Sequence, residues 1–146
     1  MREKGKTGII CQARLSSSRL PGKVLYDLGG KNSIELIYLR YKKQLEQNLG
    51  FTIATSTAKE DKAIKIFCEE KNIQVFSGDL DNVLLRYYEC SKKLNLEYIV
   101  RITSDCPLID PFLLDKMIEK YEKSTYDYLS NTLQPTFPEM SAVMCY

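Results

Sequence analysis

Short apolar runs alternate with longer stretches of helical period along almost the whole chain. That order admits few folds. A strand followed by a helix and then another strand is normally returned to the same sheet in parallel, by a right-handed crossover. Residues 7–13, 51–55, 73–76 and 97–102 read as buried strands, with 126–129 as a fifth. Between them, Ile34, Ile37, Tyr38, Tyr41 and Leu45 recur at helical spacing. Ala63, Ile64 and Phe67 mark a second helix, and Val83, Leu84, Tyr87, Tyr88 and Leu94 a third. Leu113, Leu114, Met117, Ile118 and Tyr121 form the buried stripe of a fourth. Asn32 with Glu35, and Thr57 with Glu60, predict capping boxes, and Asp110 ahead of Pro111 predicts an N-cap. Ser77-Gly78-Asp79 is expected to break the third strand. The pattern predicts an α/β domain with a mostly parallel sheet.

Composition narrows what such a domain does. A chain of 146 residues fits one domain with a real core. Its net charge of +2 is too balanced for a nucleic-acid coat or a membrane-surface protein. No apolar run spans a bilayer, and the basic start has too short an apolar stretch for a secretory signal, so a cytoplasmic protein is expected. The five cysteines are scattered with no CxxC, which predicts reduced thiols rather than a disulfide framework or zinc site. There is no histidine, which excludes a Ser-His-Asp triad, a Cys-His pair and any His-ligated metal.

Open parallel sheets bind ligands beyond the carboxyl ends of their strands. That rule nominates 14–23, 55–57, 77–81 and 103–107, which should share one edge. The first is the most pointed. QARLSSSRLPGKV, residues 12–24, holds Arg14, Arg19 and Lys23 with three consecutive serines and no acid. It is not a P-loop, because Ser17 stands where the first glycine belongs and Val24 follows the lysine. Nor does it carry the GxGxxG of a dinucleotide site. Arginine forks and a lysine point charge suit phosphate oxygens, and several charges together suit a triphosphate. A solvated basic loop with a Pro-Gly turn is the plain alternative. Asp110 is assigned to the helix cap. Arg101 reads equally as a phosphate or substrate contact and as an edge salt bridge. Tyr87 and Tyr88 read as core or interface, and Cys106 as a small buried residue.

Several ordered motifs resemble one family. ARLSSSRLPGKVL at 13–25 is followed by IATST at 53–57 and VFSGDLDNVLLRYYE at 75–89. VRITSDCPLIDP at 100–111 and YDYLSNTLQPTFP at 126–138 complete the set. Together they resemble the sugar cytidylyltransferases, which include the enzymes that activate 3-deoxy-manno-octulosonate and the acylneuraminates, and most of all the spore-coat polysaccharide branch. The resemblance implies a three-layer, Rossmann-like sandwich of the nucleotide-diphospho-sugar transferase type. It implies transfer of CMP from CTP to a sugar or sugar acid, with release of pyrophosphate and with Mg²⁺. Arg14, Ser17 and Lys23 match positions that hold the triphosphate, and Arg19 a further basic one. Ser77 and Gly78 match the stretch against base and ribose, and Asp105 the aspartate that binds magnesium. Arg14, Lys23 and Asp105 are thus the expected catalytic set. Asp105 also reads as a turn residue ahead of Pro107.

The likeness changes character near the end. Family members continue past the TFP segment with an acidic motif, whereas here 139–146 reads EMSAVMCY. The expectation is a nucleotide-binding nucleotidyltransferase domain over 1–138. Residues 139–146 are expected to form an atypical tail, with the sugar-binding and dimerisation part missing. Apolar surface left uncovered by that part would favour a homodimer. Two other readings stay open: a nucleotide-binding module or inactive truncated homologue without catalysis, and a glycosyltransferase-like domain that binds a nucleotide sugar as donor.

Overall fold

The computed structural model describes residues 5–44, 49–132 and 142–145, with Gln44 and 142–145 given by backbone alone. Leu45, expected on the apolar face of the first helix, and the 136–138 segment lie outside the described residues.

The elements follow the expected alternation: β1 (Thr7–Gln12), α1 (Ser33–Gln44), β2 (Gly50–Ser56), α2 (Lys62–Glu70) and β3 (Gln74–Gly78). Then come α3 (Val83–Leu94), β4 (Tyr98–Thr103), α4 (Pro111–Glu122), β5 (Tyr128–Ser130) and β6 (Ala142–Cys145). A single 3₁₀ turn occupies Lys23–Leu25. The sheet runs in the order β3-β2-β1-β4-β6-β5. The first four strands are mutually parallel, and β6 lies antiparallel between β4 and β5.

Side chains on β1 alternate between two cores, as a strand buried on both faces requires. Ile9, Cys11 and Ala13 join the larger one, with Ile34 and Ile37 of α1, Ile64 of α2 and Leu114 and Ile118 of α4. Ile10 faces the smaller core with Ala54, Ile99 and, from α3, Tyr87 and Cys90. The result is three layers, with α3 alone on its side of the sheet among the described helices. That placement follows from the strand order. The chain steps from β1 to β2 to β3 in one direction, then turns back past β1 to reach β4. A right-handed crossover in the reverse direction puts its helix on the opposite face.

Two local expectations are corrected. Ser77 and Gly78 do not break the third strand; they pair with Thr55 and Ser56, and the chain turns only at Asp79. Gly78 suits this place because a Cβ there would meet Phe76 Cε1 at 2.8 Å and Arg86 Cγ at 3.0 Å. Thr57 and Glu60 do not form a capping box. The Thr57 N–H is taken by the Gly78 carbonyl at 2.9 Å, which carries sheet pairing past β2, and the N-cap of α2 falls on Asp61. Residues 142–145 of the expected tail form a strand inside the sheet. The Asp110 cap stands as expected, and of the Asn32–Glu35 box the half that Asn32 supplies. Asn32 Oδ1 accepts from Glu35 N–H at 3.0 Å, and Asp110 Oδ1 from Phe112 N–H at 3.0 Å. Glu35 turns its own carboxylate to Lys71 at the end of α2, 3.2 Å away.

Among the described residues no helix is long and apolar enough to cross a membrane. Cys11, Cys68, Cys90 and Cys106 are free thiols. Cys106 is half-buried rather than buried, because it sits on the turn beyond β4.

Candidate active site

The reversal of strand order fixes where a ligand can enter. Connections leave β1 toward β2 and leave β4 away from it, so the segments beyond β1 and β4 diverge and open a crevice. A pocket of about 380 Å³ lies there, lined by residues from 12–24 and 103–105. Two of the four nominated segments therefore meet in one place. The other two, 55–57 and 77–81, share the same edge but do not line this pocket. Ser77 and Gly78 end β3, two strands from β1, or about 10 Å at the usual interstrand spacing.

The first wall is a closed loop. The Leu15 carbonyl accepts from Ser17 N–H at 2.8 Å and from Gly22 N–H at 2.9 Å. Gly22 is left-handed, with φ of 74°, a conformation that glycine adopts without a steric penalty. It aims the chain into the 3₁₀ turn that begins with Lys23. Arg14 and Arg19 are exposed, while Lys23 is half-buried.

The second wall is the turn after β4. The Ser104 N–H donates to the Gln12 carbonyl at 2.9 Å, and its own carbonyl takes the Ser33 hydroxyl at the start of α1. The turn is thus tied both to β1 and to α1. It presents Asp105, whose Oδ2 stands 3.0 Å from Lys23 Nζ. Burial alone would raise the Asp105 carboxyl. Hydrogen bonds from Lys23 and Thr103, with the Lys23 charge, outweigh that and hold it below the usual carboxylate range.

Every residue expected to hold phosphate lines this pocket: Arg14, Ser17, Arg19 and Lys23, with Asp105 opposite. Three cations face one carboxylate, a balance that attracts a polyanion. Mg²⁺ usually takes one or two carboxylates together with substrate phosphates rather than a protein cage. Among the described residues no group of three acidic or thiol side chains gathers for a metal, and Asp105 alone offers a carboxylate here. That donor set fits an ion shared with a bound phosphate chain.

Other expectations resolve away from the pocket. Tyr87 is buried on the sheet-facing side of α3, and its ring lies 5.5 Å from the Arg101 guanidinium in a cation–π contact. Arg101 does not line the pocket between β1 and β4, and among the described residues no salt bridge to it is seen. Tyr88 is exposed beside Leu84. Reading the sequence did not single out Asp61 or Arg86, both buried beside the loop bases. Arg86 is fully buried and donates through Nε and Nη2 to the carbonyls of Asp79 and Leu80, each at 2.8 Å. A charged residue inside an apolar helical stripe, as in VLLRYY, was the available signal.

Comparison with known proteins agrees with this geometry. Residues 8–144 match the family described as cytidylyltransferase. The spore coat polysaccharide biosynthesis protein SpsF of Bacillus subtilis is 34% identical, over 84% of this chain and 53% of its own length. The 3-deoxy-manno-octulosonate cytidylyltransferase of Geobacter sulfurreducens is 30% identical, over 75% of this chain and 42% of its own. A solved cytidylyltransferase from Leptospira borgpetersenii superposes with a TM-score of 0.90 at 30% identity, over 97% of this chain and 60% of that one. The chain spans about half the length of the curated relatives it matches.

Proposed function

The chain belongs to the cytidylyltransferase family, and on that premise we propose that it serves the transfer of CMP from CTP to a sugar or sugar acid, releasing pyrophosphate, in polysaccharide biosynthesis. One observation carries the reading. Lys23 and Asp105 face each other across the crevice between β1 and β4, with Arg14 and Arg19 on the same rim.

In this reading Arg14, Ser17, Arg19 and Lys23 hold the triphosphate, and Ser77 and Gly78 lie against base and ribose. The separation of about 10 Å between the two groups, read from strand spacing, suits a ligand with phosphates at one end and a base at the other. Asp105 would hold Mg²⁺, which supplies charge neutralisation and polarises phosphoryl oxygens when bound. Lys23 and Asp105 neutralise each other in the ligand-free pocket. When CTP enters, Lys23 turns to phosphate oxygens and Asp105 is released. The protein's contribution is then position and electrostatic stabilisation of the phosphoryl centre, and an imidazole is not needed for either.

The test is incubation with CTP, Mg²⁺ and a panel of sugars and sugar acids while pyrophosphate is measured, alongside calorimetry with CTP. Pyrophosphate release with one acceptor is the expected result. Failure to bind CTP in the presence of Mg²⁺ would sink the proposal. A second reading is a nucleotide-binding module completed by a partner. It predicts CTP binding without turnover.

A further inference from the structure

The loop that carries the pocket's cations hangs from Leu15. Its carbonyl closes the loop through Ser17 and Gly22. Its N–H leaves the loop altogether and donates to Asp61 Oδ1 at 2.7 Å, across 46 residues of sequence. Asp61 Oδ2 accepts from the Ser56 hydroxyl at the end of β2. Ser56 Oγ in turn accepts from the Ala58 N–H at 3.1 Å. Asp61 is only 1% exposed.

An ordinary helix cap does not account for this. Asp61 is the N-cap of α2, where an aspartate normally accepts from the first turn of its own helix. Its side chain makes no such bond. Both oxygens are committed to other segments. A buried carboxylate is also unfavourable unless fully partnered, and a serine would cap the helix without that penalty. Burial disfavours the charge on Arg86, the nearby Arg14 charge adds to that, and Asp61 offsets part of it. A hydrogen bond to an ionised acceptor is shorter and more directional than a neutral one.

We infer that Asp61 is a positioning residue for the anion loop: through the Leu15 N–H it sets where Arg14, Ser17 and Lys23 stand, without lining the pocket itself. The inference rests on the proposed triphosphate reading of that pocket. Arg14 precedes the tethered residue directly, Ser17 lies within the turn that Leu15 closes, and Lys23 follows that turn at once. Displacement of such a loop by about 1 Å can weaken function on the order of a hundredfold.

Asp61→Ser tests this, because serine keeps a helix cap but is too short to replace the carboxylate at Leu15. Affinity for CTP with Mg²⁺, and for inorganic tripolyphosphate alone, is measured by calorimetry. Exchange of the Leu15 amide is followed by NMR. We expect Asp61→Ser to bind tripolyphosphate about ten- to a hundredfold more weakly, with faster Leu15 exchange. Asp61→Asn, whose amide oxygen can still accept from Leu15, should recover most of the affinity. Ile118→Ala, a core change in α4, should lower stability and leave affinity unchanged.

Wild-type affinity in a folded Asp61→Ser, or an equal loss in Ile118→Ala, overturns the inference. If Asp61→Ser does not fold, the wild-type Leu15 amide decides, since exchange at the rate of a free loop would exclude the tether. If wild-type protein binds neither ligand, the CTP reading fails by itself. The exchange comparison between wild type and Asp61→Ser then still reports on the tether.

Discussion

Lys23 and Asp105 stand 82 residues apart in sequence and 3.0 Å apart in space, and their pairing sets the chemistry of the pocket. Both side chains are partly exposed, so the pair itself adds little to stability. Its value lies in holding two charges ready for exchange. Lys23→Ala and Arg14→Ala should therefore leave the melting temperature nearly unchanged. Each should weaken CTP binding about ten- to a hundredfold, the scale of a hydrogen bond between charged groups. Calorimetry beside thermal denaturation separates the two effects. Asp105→Asn should remove the Mg²⁺ dependence of CTP binding, and an unchanged dependence would return Asp105 to a turn residue. The Asp105 carboxyl lies below its usual range, so the pair is intact at neutral pH and its contribution disappears only as pH falls through that lowered value. A ¹³C titration of the carboxyl in wild type and Lys23→Ala checks the sign. The value should rise when the lysine is removed.

Segments show the same division between local and long-range causes. Asp110 and Pro111 start α4 by local chemistry alone, and the cap bond to Phe112 is present. Asp110→Ala should destabilise the protein by about 1 kcal/mol in urea denaturation and leave CTP affinity unchanged. The start of α2 is different. TSTAKED contains a sound capping pattern at Thr57 and Glu60, yet pairing with β3 extends through Thr57 and delays the helix to Lys62. Sheet hydrogen bonds won over a local signal, and Asp61 was thereby freed to reach the loop beyond β1. Ser77 and Gly78 were likewise drawn into β3 by their register with β2, although Ser-Gly normally punctuates a turn.

Across the molecule, burial divides the cysteines. Cys11, Cys68 and Cys90 are fully enclosed, and Cys106 sits half-buried on the turn beside Asp105. Burial pushes the Cys68 thiol up to about 12 and Cys90 to about 11, and raises Cys11 further. A raised thiol stays protonated and unreactive at neutral pH. Among these four, native alkylation followed by mass spectrometry should modify Cys106 first. The other three should react only at the rate of unfolding. Rapid modification of Cys11, which lies in the central strand, would mean that the two cores are not closed.

Sequence alone was enough for the alternation of strands and helices, the mostly parallel sheet, the caps at Asn32 and Asp110, and the cationic make-up of the Arg14–Lys23 loop. Each of these rests on neighbours within a few residues, so periodicity and residue type suffice to read them. The meeting of that loop with Asp105, the tether from Leu15 to Asp61, the burial of Arg86 and the insertion of Ala142–Cys145 between β4 and β5 came from the folded chain. They depend on strand order, and strand order depends on how two cores are filled at once. No short window of sequence carries that information.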